Sequence, residues 1–249
     1  MRTAALYDIH GNLPALEAVF HDIRQAQIDQ IIVGGDVVPG PMPRETLVAL
    51  LELDVPLHFI HGNGDREVLL TRVGKETNAI PERFREVMRW NAQQLLPEHA
   101  RLLADWPLTL RLEMPGLGAV LFCHATPRND TDVFTRFTPE ERLLPIFEGL
   151  GAALVVCGHT HMQFDRMIGK VRVVNAGSVG MPFGQSGAYW LLLGPNNVQL
   201  QHTSYDLGKA AARIRRTSYP LADDFAEHNV LQPPSQREML ELFSKSEMK

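Results

Sequence analysis

Seven polar side chains of types that bind metal ions stand at the ends of short apolar runs. They are Asp8, His10, Asp36, Asn63, His124, His159 and His161. Carboxylate and amide oxygens combined with imidazole nitrogens form a mixed donor set that suits borderline divalent ions. The sequence therefore predicts a divalent metal site built from oxygen and nitrogen donors.

The spacing of these residues leaves the number of ions open. Asp8 and His10 are two residues apart on a segment predicted to be extended, so both side chains can turn towards one ion. His159 and His161 repeat that spacing. Each pair could also divide its members between two ions.

Apolar runs of strand length alternate with amphipathic segments at the start of the chain, which predicts a βαβαβ unit. The predicted elements are, in order, Thr3–Tyr7, Pro14–Ala26, Ile31–Val33, Arg44–Leu53 and Pro56–Ile60. Each predicted strand ends shortly before a candidate ligand. Because loops converge at the carboxyl ends of parallel strands, residues distant in sequence can meet there.

Later segments predict a second set of strands. The predicted helices are Pro81–Leu95, Pro97–Ala104 and Pro139–Phe147, and the predicted strands are Leu108–Glu113, Ala119–Cys123, Ala153–Cys157, Gln163–Ile168, Val171–Asn175, Ala188–Leu193 and Val198–Tyr205. Turn residues between successive strands predict three hairpins. The whole pattern predicts an α/β fold in which a two-sheet β-sandwich is flanked by helices.

The chain is predicted to form a single domain, residues 1–249, with residues 206–249 as a helical C-terminal extension packed on it. Polar segments separated by prolines favour helices at Ala210–Arg216, Leu221–Glu227 and Ser235–Phe243. No clear linker precedes them, so they are not expected to form a separate domain.

Composition excludes several classes of protein. The 249 residues are 45% hydrophobic, which is enough to bury one substantial core. The formal net charge of −5 gives no basic excess for a nucleic-acid backbone, so no stable nucleic-acid complex is expected. No segment has the length of a membrane span and the N-terminus lacks a signal-peptide pattern, so we expect a cytoplasmic protein with no membrane partner. The oligomeric state is left open.

Five short motifs resemble, in order, those of the calcineurin-like metallophosphoesterases. They are Asp8-Ile9-His10-Gly11-Asn12, Gly35-Asp36, Gly62-Asn63-Gly64-Asp65, His124 and Gly158-His159-Thr160-His161. The stretch from Asn175 to Gly180 is similar to the small bacterial and archaeal phosphodiesterase branch. One such motif is weak evidence, but five in order at strand ends are strong evidence. The resemblance implies a four-layer αββα arrangement.

The resemblance also implies a dinuclear site with its ions about 3.5–4 Å apart. It assigns the ligands in three groups: Asp8, His10 and His161 to the first ion, Asn63, His124 and His159 to the second, and Asp36 to both. A hydroxide bridging the ions would attack the phosphorus in line with the leaving oxygen. Mn²⁺ is favoured as the cofactor, with Fe, Zn or Ni as alternatives that ligand type separates poorly.

Three members of this set, Asp36, Asn63 and His124, are the candidate catalytic residues. Asn63 is also a candidate for binding the substrate. Asn12 joins it because it lies at the start of the first predicted helix, where free backbone N–H groups could face a phosphate. Arg66, in a loop beside the third motif, could also contact a phosphate, and a solvated role is an equal alternative for it.

One position departs from the family pattern. Gly64 stands where the family usually has a histidine that gives a proton to the leaving group. General acid catalysis contributes about 10²–10⁴-fold, so its absence favours substrates with good leaving groups. His61, Asp65 or a metal-bound water could take its place.

The sequence therefore predicts a hydrolase of phosphodiesters, with small nucleotides or similar soluble esters as substrates. The same motifs fit a phosphomonoesterase, a protein phosphatase or a dinucleoside polyphosphate hydrolase, because they do not encode the second substituent of the ester. A third hypothesis is a metal-bound binding module without catalysis. Gly64 supports that hypothesis, and the complete ligand set opposes it.

Overall fold

Ten strands form two mixed sheets within residues 1–75 and 81–246, which are the residues that the computed structural model describes. The strands are β1 (Thr3–Leu6), β2 (Gln30–Val33), β3 (Leu57–Phe59), β4 (Thr109–Met114), β5 (Gly118–Cys123), β6 (Leu154–Cys157), β7 (Phe164–Ile168), β8 (Val171–Asn175), β9 (Ala188–Gly194) and β10 (Asn197–Thr203). The α-helices are α1 (Leu13–Gln25), α2 (Pro43–Leu51), α3 (Asn63–Arg72), α4 (Glu82–Gln94), α5 (Pro97–Ala104), α6 (Glu140–Phe147), α7 (Leu207–Arg215), α8 (Ala222–Phe225) and α9 (Gln236–Phe243).

Parallel strands lie side by side in each sheet. The first sheet has the order β10-β9-β1-β2-β3, and its strands β1, β2 and β3 are parallel. The second has the order β4-β5-β6-β8-β7, and its strands β5, β6 and β8 are parallel. The three predicted hairpins are the antiparallel pairs β4–β5, β7–β8 and β9–β10. The carboxyl ends of the parallel strands therefore share one edge in each sheet.

Side chains along β1 alternate between two hydrophobic cores. Ala4 and Leu6 pack in the core shared with α1 to α5, whereas Ala5 and Tyr7 pack in the core between the sheets. The Tyr7 hydroxyl donates a hydrogen bond of 3.1 Å to the carbonyl of Val156 in β6, so it joins the two sheets directly.

The outer face of the second sheet is covered by α6. Val155 and Val173 of this sheet share a third core cluster with Leu143 and Phe147 of α6. The layers therefore follow the order helix, sheet, sheet, helix. The predicted two-sheet α/β fold flanked by helices is confirmed.

Helix α3 differs from the sequence prediction, which leaves residues 63–72 without a helix. Its sequence, NGDREVLLTR, is polar and has a glycine in its first turn, so it lacks a clear amphipathic pattern. The first turn is stabilised by the Asp65 carboxylate, which accepts a hydrogen bond of 3.1 Å from the Gly62 N–H. Burial of Val68 secures the following turn.

The C-terminal segment is helical, as predicted. Ala210 and Ile214 of α7 share a cluster with Leu13 and Met42 of the body. Helix α8 is shorter than the predicted helix, because the chain continues as a π-helical segment at Ala226–Leu231. Positions 247–249 of the predicted extension lie outside the described residues. None of the helices in the described ranges is long and apolar enough to cross a membrane.

Five candidate ligands have a left-handed backbone, which residues with a side chain usually avoid. They are Asp8 (φ 53°), His10 (φ 50°), Asp36 (φ 52°), His159 (φ 65°) and His161 (φ 57°). This conformation costs about 1–2 kcal/mol per residue. Loop hydrogen bonds hold it in place: the His10 N–H donates to the Asp36 carbonyl at 2.9 Å. Strain of this kind is typical of functional sites, where the surrounding structure over-determines it.

Alanine usually gives a more stable protein than glycine at the same position. We predict that this order is reversed at His159. In protein stripped of metal by a chelator, His159→Gly should be more stable than His159→Ala by about 1 kcal/mol, because glycine adopts positive φ without steric cost. Urea denaturation of both variants measures this difference. At His21, an exposed position inside α1, alanine should instead be the more stable by about 1 kcal/mol. A more stable alanine variant at position 159 would contradict the prediction.

Candidate metal centre

The seven predicted ligands come together where the parallel strands of both sheets end. The first sheet contributes the residues that follow β1, β2 and β3, and the second contributes those that follow β5 and β6. A site built in this way lies across the junction of the sheets. Its geometry therefore depends on how the sheets pack.

One group of donors contains Asp8, His10 and His161, with their ligand atoms within 4.8 Å of one another. The Asp8 Oδ1 lies 3.3 Å from the His161 Nε2 and 3.9 Å from the His10 Nε2. The two imidazole Nε2 atoms are 3.2 Å apart. These are the residues that the resemblance assigns to the first ion.

A second group adjoins the first. The carboxamide of Asn63 has one end 3.1 Å from the His124 Nε2, and the same end is 3.0 Å from the His159 Nδ1. The Asp36 Oδ2 lies 3.6 Å from the His124 Nε2 and 3.8 Å from the His10 Nε2, so this carboxylate reaches both groups.

Three of the histidines are oriented by backbone carbonyls. Each Nδ1 faces one carbonyl oxygen: His10 faces Pro39 at 3.1 Å, His124 faces Gly34 at 2.9 Å, and His161 faces Met181 at 2.7 Å. Since a carbonyl only accepts hydrogen bonds, each Nδ1 must carry the proton and donate it. The lone pair of a neutral ring is then on Nε2, which is the atom that faces the other ligands.

These donors fit a cation. In the neutral form that binds a metal ion, the Nε2 atoms of His10, His124 and His161 face carboxylate oxygens at 3.3 to 3.9 Å with no hydrogen between them. The Asp8 Oδ1 is buried and accepts no hydrogen bond from the described residues. Lone pairs that converge in a buried site repel one another, and a divalent ion with oxygen and nitrogen ligands removes that repulsion.

The charge states of these residues follow from burial and from their neighbours. Burial lowers the pKa of His10, and burial followed by the nearby His124 lowers the pKa of His159 to about 4. For His161, burial acts in the same direction, but the Asp8 carboxylate outweighs it and raises the pKa. Burial opposes ionisation of Asp8, and the charges of His161 and His124 hold its pKa below the usual range.

A buried carboxylate that was predicted only as a possible proton donor fixes the loop that carries Asp36. The Asp65 Oδ1 accepts hydrogen bonds from the N–H groups of Val37 at 2.9 Å and Val38 at 3.1 Å. Its second oxygen caps α3 through Gly62, so Asp65 joins the loops after β2 and β3. The place of this aspartate as the last residue of the third motif was the signal available in the sequence.

The substrate contact of Asn12 stays a prediction, and the structure shows other partners for its side chain. Asn12 is fully buried: its carboxamide oxygen accepts the Ala15 N–H at 3.3 Å, and its amide donates to the Gly180 carbonyl at 2.9 Å. The backbone N–H groups of Gly11 and Asn12 are also bonded inside the fold. Asn12 therefore caps α1 and ties it to the loop after β8.

Arg66 lies close to the site, but its guanidinium is engaged by carboxylates. It donates to both oxygens of Asp130, at 2.8 and 3.1 Å, and to Glu67 at 2.9 Å. Hydrogen bonding to Asp130 raises the pKa of Arg66. Contact between this side chain and a substrate stays a prediction.

Gly64 has no room for a side chain. A Cβ atom at this position would lie 2.6 Å from the Cγ of Pro39 and 2.9 Å from the Oδ1 of Asp36. The Gly64 N–H donates to that same Asp36 oxygen at 2.6 Å. The departure from the family pattern at this position therefore serves close packing of α3 against the Asp36 loop.

The chain is similar in sequence and in fold to several known proteins. An uncharacterised protein of Methanocaldococcus jannaschii is 27% identical over 237 residues, which cover 87% of this chain and 93% of that protein. The crystal structure of a hypothetical protein from Pyrococcus horikoshii matches with a TM-score of 0.80 at 20% identity, covering 94% of this chain and 99% of that chain. The crystal structure of a metallophosphoesterase from Sphaerobacter thermophilus matches with a TM-score of 0.72 at 23% identity, covering 91% and 97% of the two chains.

The family assignment rests on the sequence match. The calcineurin-like phosphoesterase superfamily domain matches residues 1–196, and this range contains all seven candidate ligands. The structural matches agree with it at the level of the fold. We conclude that the chain belongs to the calcineurin-like phosphoesterase superfamily and is a hydrolase that acts on phosphoesters.

Proposed function

We propose that the protein is a dinuclear metal-dependent phosphodiesterase that hydrolyses small nucleotides or similar soluble esters. Mn²⁺ is the favoured ion, with Fe, Zn or Ni as alternatives, because imidazole and carboxylate donors accept all of them. The observation that carries the proposal is the pair of adjoining donor groups, both within reach of the Asp36 carboxylate.

The candidate ligands divide into two groups, one for each proposed ion. Asp8, His10 and His161 would hold one ion and Asn63, His124 and His159 the other, with Asp36 between them. Two ions bound there would supply Lewis-acid activation of a water and would neutralise charge on the phosphoryl oxygens.

The remaining work of the chain is orientation. The carbonyls that face the Nδ1 atoms fix each imidazole before a substrate arrives, so little reorganisation is needed during the reaction. The His159 N–H donates to the Asp8 Oδ2 at 2.8 Å, which leaves the other oxygen of that carboxylate directed at the histidines. This arrangement supports positioning and electrostatic stabilisation as the main sources of rate enhancement.

Charge favours a diester over a monoester. A phosphomonoester carries a second negative charge at neutral pH, and that charge needs an additional cation. Arg66 is paired with Asp130 and Glu67, so this cluster adds no net positive charge to the site. Two divalent ions, the carboxylates of Asp8 and Asp36 and one metal-bound hydroxide would leave a single net positive charge, which the single negative charge of a diester anion matches better.

The proposed substrate is a small soluble ester and not a nucleic-acid duplex, because the net charge of −5 provides no general attraction for a phosphate backbone. The cytoplasmic location belongs to the same proposal. Loss of catalysis is disfavoured, because a site that had decayed would have lost ligands as well, and all seven candidate ligands are present.

We predict that Asp36→Asn and His124→Ala lower Mn²⁺-dependent turnover of a bis-aryl phosphate by about 100-fold or more, because each removes a group that holds or bridges the ions. The assay uses metal-stripped protein with Mn²⁺ added back. The matched controls are Asp54→Asn and His21→Ala, both at exposed positions. Full turnover in the Asp36 and His124 variants would show that the proposed site is wrong.

We predict that kcat/KM for a bis-aryl phosphate exceeds that for the corresponding mono-aryl phosphate, because the Arg66 guanidinium beside the site is already paired with Asp130 and Glu67 and does not offset the second charge. Both rates are measured side by side on the Mn²⁺-loaded protein. A clear preference for the monoester would replace this proposal with the phosphomonoesterase alternative. No turnover of either ester, in protein that binds two ions, would favour the binding module.

We predict that Gly64→His does not restore a proton donor but lowers turnover and metal content, because even its Cβ would displace Pro39 or Asp36. Gly64→Ala should show the same losses in weaker form. Gly194→Ala is the control, since no atom lies within 4 Å of the Cβ position at that glycine. Faster hydrolysis of an alkyl ester by the histidine variant would mean that the missing acid limits the reaction and that the packing argument is wrong.

A further inference from the structure

Helix α9 lies beyond residues 1–196 and reaches back to the metal centre through two aromatic rings. We propose that α9 is a positioning element: Phe243 supports Phe183, and Phe183 fixes the imidazole of His161 in the orientation that binds an ion. This inference rests on the proposed role of His161 as a metal ligand.

The first contact is the ring stack on His161. The Phe183 ring lies nearly parallel to the imidazole, with ring centroids 5.2 Å apart and an angle of 19° between the planes. On the same ring, the Nδ1–H donates to the Met181 carbonyl at 2.7 Å. The hydrogen bond fixes the Nδ1 edge of the imidazole. The stacked Phe183 ring limits rotation of the imidazole about this hydrogen bond.

The loop that carries these groups is tied to the other ligands. We call residues 181–187 the Phe183 loop. At its start the Met181 N–H donates to the Ser178 Oγ at 2.8 Å, and that hydroxyl donates to the Asp8 carbonyl at 2.7 Å. A shift of the Phe183 loop would therefore move the His161 ring relative to Asp8. The distance between the His161 Nε2 and the Asp8 Oδ1 would then no longer suit an ion bound by both.

The second contact places α9 over the loop. The rings of Phe183 and Phe243 have centroids 6.1 Å apart at 58°, a tilted aromatic pair. The N-terminal end of α9 is fastened to the same region: the Gly184 N–H donates to the Pro234 carbonyl at 2.8 Å, and Arg136 donates to the Gln236 Oε1 at 3.0 Å. The Phe243 end of α9 therefore contacts the Phe183 loop through its ring, and the other end is held by hydrogen bonds of Pro234 and Gln236.

A contribution of α9 to the main cores is excluded by its exposure. None of its eight residues is buried, although Phe183 beneath it is only 9% exposed. Removing the Phe243 ring should therefore leave the body of the fold intact. This separation makes the positioning role measurable independently of global stability.

The test is calorimetric titration of the metal-stripped full chain with Mn²⁺, compared for Phe243→Ala, Phe183→Leu and Phe183→Tyr. Loss of a group that orients a ligand lowers metal affinity about 10- to 100-fold. We expect the alanine and leucine variants to bind one of two ions about tenfold more weakly and the other with unchanged affinity. Phe183→Tyr keeps the ring and should bind both ions normally.

Leu242→Ala is the matched control, because Leu242 is a neighbouring apolar residue of α9 that is 53% exposed. It should leave both affinities unchanged. Wild-type affinities in both Phe243→Ala and Phe183→Leu would overturn the inference while leaving the proposed function intact. An equal loss of affinity for both ions would also overturn the inference, and so would a lower Tm of the metal-free Phe243→Ala protein. Either result would mean that these rings have a general structural role. Binding of fewer than two ions by the wild-type chain would instead contradict the proposed function.

Discussion

The Asp8 carboxylate joins the two sheets, and the geometry of the candidate metal centre depends on it. One oxygen accepts the His159 N–H from the second sheet at 2.8 Å, while the other faces the imidazoles. Its backbone is bonded on both sides as well: the Asp8 N–H donates to the Gly35 carbonyl, and its own carbonyl accepts the Gly180 N–H at 3.0 Å. A buried charge tolerates such a position only when its partners are fixed, so the loops around it have little freedom to move.

Several backbone positions in these loops are sterically strained. The candidate ligands that follow β1, β2 and β6 adopt left-handed backbone conformations, which would relax in an isolated loop. They persist because the strands on either side are fully buried and paired in register, as β1 is with β2 and β6 is with β8. The stability of the two sheets therefore keeps these residues in the strained conformations that define the geometry of the site.

Much of the fold could be predicted because apolar periodicity and turn residues are local signals. The ends of β1, β5 and β6 fall just before polar residues, and that placement alone brought the candidate ligands to one edge. Helix α3 escaped prediction because its stability comes from the Asp65 cap and from packing, neither of which produces an apolar stripe. The contact between Asn12 and Gly180 could not be predicted, because the two residues are distant in sequence. The same holds for Phe183, whose neighbours His161 and Phe243 are brought together only by the complete fold.

The location of the candidate ligands across the junction of the sheets would, with ions bound, affect the lifetime of the protein. A ligand that binds only the folded state raises the free energy of unfolding in proportion to the logarithm of its concentration over Kd. Ions held by residues of both sheets would act as a clamp on the main interface of the sandwich, where Tyr7 and Val156 meet. The supply of divalent metal would then set how long each molecule resists proteolysis, and a shortage would reduce the amount of enzyme as well as its activity.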